Sequence, residues 1–104
     1  MMRRVIDGKI YDTETAALLH CWDNGNNDRF HFRTKALYRT PKGRYFIVHE
    51  GGAMTDMAKQ VDTNNVSGST SMEVLDRAEV IRFLETHDGS EVLIKEFSDA
   101  VEEG

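Results

Sequence analysis

The chain has 104 residues, 13 of them basic and 18 acidic, so its formal net charge is −5. That length suits a single domain spanning 1–104, and one cysteine, one proline and eight glycines exclude disulfide-framework, linker-like and collagen-like proteins. No apolar run is long enough to cross a membrane, and Asp7 interrupts the N-terminal apolar stretch before it reaches signal-peptide length, so we expect a cytoplasmic protein.

The N-terminal quarter predicts one hairpin and one ambiguous element. Asp7-Gly8 separates two short extended segments, and this dipeptide is a strong signal for a two-residue hairpin turn. Residues 13–19 fit the start of a helix capped by Asp12 or Thr13, whereas 18–22 fit a buried strand equally well. Helix and strand therefore both remain open for 16–22. Residues 23–28, rich in Asn, Asp and Gly, are predicted to form a loop.

The clearest predicted element is a β-hairpin over about 29–50. Its strands flank Pro41-Lys42-Gly43, where proline presets φ and glycine accepts the positive φ that a three-residue loop needs. Residue 38 then lies opposite 46, and 36 opposite 48. In this register one side is apolar and is predicted to be the core side: it carries Phe30, Phe32, Ala36, Tyr38, Phe46 and Val48. The predicted outer side carries His31, Arg33, Lys35, Arg39, Tyr45 and His49, interrupted by Leu37 and Ile47.

The C-terminal half predicts mainly helices. Residues 53–60 are predicted as a short helix with Met54 and Met57 inward, 61–71 as a mobile polar loop, and 72–75 as a strand. Asp76 lies three residues before Glu79, a capping-box spacing that predicts a helix over 78–86. A second helix is predicted over about 90–102, with inward residues Leu93, Ile94, Phe97, Ala100 and Val101. The expected fold is α+β, a small antiparallel sheet built around the central hairpin with two C-terminal helices packed on it.

Charge is unevenly distributed along the chain. Residues 29–44 contain six basic side chains and no acidic one, whereas 45–104 contain four basic and thirteen acidic. Arg33, Lys35, Arg39, Tyr45 and His49 are therefore candidates for contact with a protein or, less favoured because the domain is acidic, with nucleic acid. The alternative is a solvated face whose charges are balanced by acids elsewhere in the fold. The separation of charge favours an oriented contact with a charged partner or a homodimer.

A second candidate site lies at the end of the hairpin. Gly51, Gly52 and Thr55 follow a strand, and glycine amides there can cradle an anion. The segment matches neither the dinucleotide fingerprint nor the phosphate loop, so a tight exit from the hairpin is the simpler interpretation. His31 and His49 are separated by roughly 13 Å at strand rise, too far to share one metal ion. We predict no catalytic residues, no metal and no cofactor.

Two parts of the chain form a familiar pattern when taken together. One is 8–16 (GKIYDTETA), and the other combines 37–40 (LYRT), 43–47 (GRYFI) and 51–54 (GGAM). The pattern resembles a family of small, largely uncharacterised proteins carried by bacteriophages and integrated mobile elements of bacteria. The resemblance covers about residues 4–57 and brings no known site residues with it.

The resemblance implies an origin more than a mechanism. By analogy of size, charge and origin, it implies a non-enzymatic protein that binds a host protein, such as an anti-CRISPR inhibitor of a nucleic-acid-targeting defence complex. The alternatives are a nucleic-acid-binding module that uses the basic hairpin face and a small-molecule or anion-binding domain at Gly51-Gly52.

Overall fold

The structure, a computed structural model that describes residues 2–104, contains eight strands followed by two helices. The strands are β1 (Arg3–Ile6), β2 (Lys9–Asp12), β3 (Ala17–Asp23), β4 (Arg33–Arg39), β5 (Tyr45–Gly51), β6 (Lys59–Gln60), β7 (Val66–Ser67) and β8 (Ser69–Leu75). The helices are α1 (Arg77–Thr86) and α2 (Ser90–Glu96), and a 3-10 turn follows at Ser98–Ala100. These elements confirm the predicted α+β class.

A four-stranded antiparallel sheet in the order β3-β4-β5-β8 forms the centre of the fold, while β1 pairs with β2 and β6 with β7. The central hairpin is therefore extended on both sides, by β3 next to β4 and by β8 next to β5. The segment 16–22, left open between helix and strand, contributes most of β3. The helical alternative for it is wrong.

Local turn chemistry fixes both predicted hairpins. Asp7 and Gly8 have φ of 52° and 74°, the two successive positive values that a type I′ turn requires. Gly43 has φ of 85° in the loop that joins β4 to β5. The register places Tyr38 opposite Phe46 and Ala36 opposite Val48, which confirms the predicted pairing.

The prediction that the core lies on the side of Phe46 is wrong for the main hydrophobic cluster, although Phe46 itself is fully buried as predicted. Leu37 and Ile47, placed on the predicted outer side, are almost fully buried under the helices. The core cluster that they join consists of Leu75, Val80, Phe83, Leu84, Leu93 and Phe97. Period-two alternation separates the two sides correctly, but it carries no information about which side the later helices cover. We call this side of the sheet the helix face.

The opposite side of the sheet, here called the hairpin face, is partly covered by β1 and β2. Phe46 is fully buried there, with the Tyr11 ring edge-on at 5.7 Å and the Tyr38 ring stacked at 5.1 Å between centroids. Phe30 lies in the turn before β4 and is 47% exposed, so its predicted inward position is wrong. Each face of the sheet is thus partly covered.

Two further elements differ from the prediction. Residues 53–60 form turns and β6 instead of a helix, and the Met54 side chain, predicted to point inward, is exposed. The amide of Met54 donates to the Phe30 carbonyl instead of to a helical partner. The segment 61–71, predicted as a loop, contains β7 and the start of β8. The predicted strand at 72–75 is confirmed as the end of this longer β8.

The capping box at the start of α1 is confirmed. Asp76 Oδ1 accepts from the amide of Glu79, and Glu79 Oε1 accepts from the amide of Asp76, both at 2.9 Å. α2 ends at Glu96, earlier than predicted, and it leaves Ile94 58% exposed. Neither helix of the described chain is long and apolar enough to cross a membrane.

The molecule is flat and exposes more surface than its mass requires. Its principal extents are 51 × 36 × 20 Å, and its radius of gyration is 15.3 Å. A compact chain of this length has a radius of gyration of about 13 Å. The accessible surface is 7066 Å², whereas a compact monomer of this mass exposes about 6,000 Å². Much of the sheet is therefore open to further contact.

Candidate functional site

Arg33, predicted as a contact residue, is a buried structural cation. It is only 8% exposed, at the start of β4 on the helix face. Its Nε donates to Asp56 Oδ1 at 2.7 Å, and its Nη1 donates to the Thr34 carbonyl at 2.7 Å. The hydrogen bond from Arg33 holds the pKa of Asp56 below its usual range. Arg33 therefore joins β4 to the turn that contains Asp56.

His49 lies beside Arg33 and has both ring nitrogens engaged. Arg33 Nη2 lies 2.8 Å from His49 Nδ1, and since a guanidinium can only donate, Nδ1 accepts. The proton must then be on Nε2, which donates to Glu73 Oε1 at 2.8 Å. The contact connects the three strands β4, β5 and β8 on one face. In this arrangement neither nitrogen is free to bind a ligand.

Lys35 lies against an aromatic group at the β3 end of the helix face. Its Nζ is 5.4 Å from the Trp22 ring centroid and 3.1 Å from His87 Nε2. His87 Nδ1 lies 2.9 Å from the Phe83 carbonyl, so the neutral tautomer that donates there and accepts from lysine satisfies every contact. Burial, with the charge of Lys35, lowers the pKa of His87. The end of α1 is thereby fixed to the sheet.

Arg39 and Tyr45 complete the candidate set and contact the region after α2. Arg39 Nη1 lies 2.6 Å from both carboxylate oxygens of Glu96. The Tyr45 ring packs against Phe97 at 5.5 Å between centroids. Burial, together with the charge of Glu96, raises the pKa of Tyr45. Both side chains therefore attach the sheet to the C-terminal region.

The structure thus brings all five predicted contact residues onto the helix face and gives each a contact inside the fold. For Arg33 and Arg39 this arrangement matches the alternative in which the basic charges are balanced by acids from elsewhere in the chain. Of the six basic residues in 29–44, four form no ion pair within residues 2–104: Lys35, which contacts Trp22 and His87, and Arg29, Lys42 and Arg44. Arg29 lies at one end of the sheet, and Lys42 and Arg44 lie at the other.

The chain leaves β5 through a tight turn that contains Gly51, Gly52 and Thr55. The amide of Gly52 donates to the Phe32 carbonyl at 3.0 Å, and Thr55 Oγ1 donates to the Gly52 carbonyl at 2.8 Å. A Cβ added at Gly52 would overlap the Arg29 carbonyl, and one added at Gly51 would lie 2.6 Å from Thr55 Oγ1. Backbone atoms packed against Gly52 and side chains packed against Gly51 explain the two glycines, and the Gly52 amide already has a partner.

The cavity of greatest interest was not predicted from the sequence. It is a groove of about 550 Å³ on the hairpin face, between the sheet and the N-terminal residues. Nine residues line it: Met2, Arg4, Thr13, Thr34, Ala36, Tyr38, Val48, Glu50 and Thr70. We call it the hairpin-face groove. The small Ala36-Val48 pair, beside the larger Tyr38-Phe46 pair, leaves the depression.

The N-terminal wall of the groove is fixed by hydrogen bonds. The amide of Met2 donates to Thr13 Oγ1 at 3.0 Å, and the amide of Thr13 donates to the Met2 carbonyl at 3.0 Å. Arg4 stands on this wall, and Glu50 stands on the sheet side. The groove therefore has an apolar floor, hydroxyl groups at its rim and one charge of each sign.

Comparison with known proteins finds no family model, no curated protein and no solved structure that matches this chain. Within residues 2–104 there is also no group of three or more His, Cys, Asp or Glu side chains that could hold a metal ion. The resemblance to phage and mobile-element proteins stays a prediction.

Proposed function

We propose that this protein is a non-enzymatic accessory protein that binds a segment of another protein in the hairpin-face groove. The observation that carries the proposal is the groove itself, about 550 Å³ in volume, with walls from two separate parts of the chain. Ligand-sized grooves span about 300–1,000 Å³, so this one accepts a few side chains of a partner.

The lining of the groove suits a polypeptide. Its floor contains Ala36 and Val48, which provide apolar contact, while the rim provides the hydroxyls of Thr34 and Thr70. Protein interfaces combine an apolar centre with a polar rim in this way. Opposite charges on Arg4 and Glu50 would fix the direction of a bound segment that carries complementary charges.

The internal pairing on the helix face supports a protein partner over nucleic acid. Arg33 and Arg39 already bind Asp56 and Glu96, and a phosphate would have to displace those carboxylates. A nucleic-acid-binding module would instead depend on Arg29, Lys42 and Arg44, which lie at opposite ends of the sheet, and on Lys35, which lies against Trp22 and His87. That separation disfavours one continuous phosphate track.

The proposed partner is a component of a bacterial nucleic-acid-targeting defence complex. This part of the proposal rests on the resemblance of the segments within 4–57 to phage and mobile-element proteins, and on the acidic net charge. An acidic protein can occupy a basic nucleic-acid site on such a complex.

The test compares two groove variants with one matched control. Thr70→Arg changes an exposed rim residue, and Ala36→Glu places a charge on the floor. Ala78→Glu makes the same chemical change at an exposed position in the first turn of α1. Each variant is first compared with wild type by thermal unfolding. Wild type and the control should retain the same host protein from a bacterial lysate, and the two groove variants should lose it.

A cellular assay tests the narrower proposal. Expression of the protein in a bacterium with an active CRISPR interference system should restore plaque formation by a targeted phage, and Thr70→Arg should abolish the effect. Restoration that persists in folded Thr70→Arg and Ala36→Glu would show that the groove is not the binding surface. Absence of restoration against a panel of such systems would rule out the anti-defence role.

A further inference from the structure

Strand β3 is a free edge of the central sheet. It pairs with β4 on one side, and no other strand of residues 2–104 lies on its outer side. Four of its seven residues are exposed and none is buried. Of the Lys, Glu, Asp and Pro residues that commonly protect such edges, β3 contains only Asp23, at its last position.

The direction of the main-chain groups follows from one hydrogen bond. The amide of Asn24 donates to the Arg33 carbonyl at 3.1 Å, so Asn24 and, by alternation, Trp22 direct their main-chain groups towards β4. Cys21 and Asp23 therefore direct their N–H and C=O groups away from the sheet. By the same alternation neither amide takes part in the ladder to β4. A bulge between Leu18 and His20 limits the regular part of this edge to 20–23.

The charge of this edge permits pairing with a second copy. When two copies of β3 are centred on Trp22, Asp23, the one carboxylate of the strand, lies opposite the uncharged Cys21 of the second copy. Leu18, on the same strand, is 54% exposed.

The exposed surface of the chain is also large enough to include an interface with a second copy. The chain exposes 7066 Å², about 1,100 Å² more than a compact monomer of its mass. A standard interface covers about 800 Å² per partner. One additional contact of ordinary size would therefore bring this flat molecule to the exposure of a compact protein.

We propose that β3 pairs with β3 of a second copy of this chain. A twofold axis perpendicular to the sheet at Trp22 would place Cys21 opposite Asp23 of the second copy and Asp23 opposite Cys21 of the second copy. The outward N–H and C=O groups of these residues would form four main-chain hydrogen bonds. The result is a continuous eight-stranded sheet with both pairs of helices on one face and both hairpin-face grooves on the other. Because only four residues pair regularly, the dimer should dissociate on dilution.

Proline scanning of the edge tests this proposal. Cys21→Pro removes an outward N–H and leaves the hydrogen bonds to β4 in place, whereas Cys21→Ser retains the N–H and serves as the matched control. Analytical ultracentrifugation should show a concentration-dependent dimer for wild type and Cys21→Ser, and a monomer for Cys21→Pro. The emission of Trp22, the single tryptophan, should shift with concentration in the first two proteins only.

A second variant distinguishes loss of dimerisation from loss of folding. Cys21→Glu retains every main-chain group and places its carboxylate directly opposite Asp23 of the second copy, so it should also be monomeric. Wild type that stays monomeric at all concentrations, or Cys21→Pro that dimerises as wild type does, would overturn the proposal. Both measurements use the purified protein alone, so their outcome is independent of whether a host partner exists.

Discussion

Replacing Arg33 by alanine should destabilise the protein substantially, although the sequence pattern places this residue on the solvent side. The side chain is 8% exposed and makes hydrogen bonds to Asp56, to the Thr34 carbonyl and to His49 Nδ1. The Asp56 side chain is 72% exposed, so its carboxylate recovers solvent when the arginine is lost. The carbonyl and the imidazole are less exposed and lose a donor.

The expected magnitude follows from these partners. Hydrogen bonds to a charged group are worth about 1.5–3 kcal/mol, and discounting the exposed ion pair leaves a loss of about 2–3 kcal/mol for Arg33→Ala. Arg29→Ala is the control: that guanidinium lies 5.0 Å above the exposed Phe30 ring, a contact worth about 0.5–1 kcal/mol.

Urea unfolding followed by Trp22 fluorescence measures both variants. The midpoint should fall much further for Arg33→Ala, with an unchanged dependence on denaturant. Equal midpoints for the two variants would refute the assignment of Arg33 as a buried structural cation.

Three further outcomes are expected. Phe46→Ala should lose about 3–5 kcal/mol of unfolding free energy, because the ring is fully buried against Tyr11; a loss near zero in urea unfolding would contradict this packing. Asp76→Ala should cost about 1 kcal/mol by the same measurement, since it removes the helix cap, and Asp76→Asn should recover part of it. The pKa of His87 is lowered by burial and by Lys35, so the folded state disfavours the imidazolium. Stability from the neutral ring is present above its unfolded pKa of about 6.5 and decreases as the pH falls below that value. In His87→Gln this decrease should be smaller, and an unchanged pH profile of thermal unfolding would exclude the effect.

Features set by neighbouring residues could be predicted from the sequence. The Asp7-Gly8 turn, the Gly43 loop and the Asp76 cap each depend on the chemistry of two to four adjacent positions, and all three are present in the structure. The register of the central hairpin follows from its loop length and is also correct.

Features that depend on distant residues could not be predicted. The burial of Leu37 and Ile47 could not be predicted because the residues of α1 and α2 that cover them lie far along the chain. The acids that balance the basic charges could not be identified for the same reason, since Arg39 and Glu96 are 57 positions apart. The helix predicted at 53–60 is replaced by turns because Met54 pairs with Phe30 in an earlier loop. Period and composition contain none of this information.

The hairpin-face groove also depends on residues that are distant along the chain. Its floor comes from β4 and β5, while its wall comes from Met2, Arg4 and Thr13, which reach it through the β1-β2 hairpin. Only the small size of Ala36 and Val48, in a strand pair otherwise rich in aromatic residues, is a visible sign of it in the sequence.

The order of the strands and helices along the chain affects how the protein folds during synthesis. During synthesis β3, β4 and β5 leave the ribosome first, with Leu37 and Ile47 uncovered until α1 and α2 follow. Arg39 likewise pairs only after Glu96, 57 positions further along the chain, has been synthesised. The nascent sheet therefore exposes an apolar surface and unpaired edges until the helical segment has left the ribosome. Cellular yield should consequently respond more to chaperone supply than the size of the protein suggests.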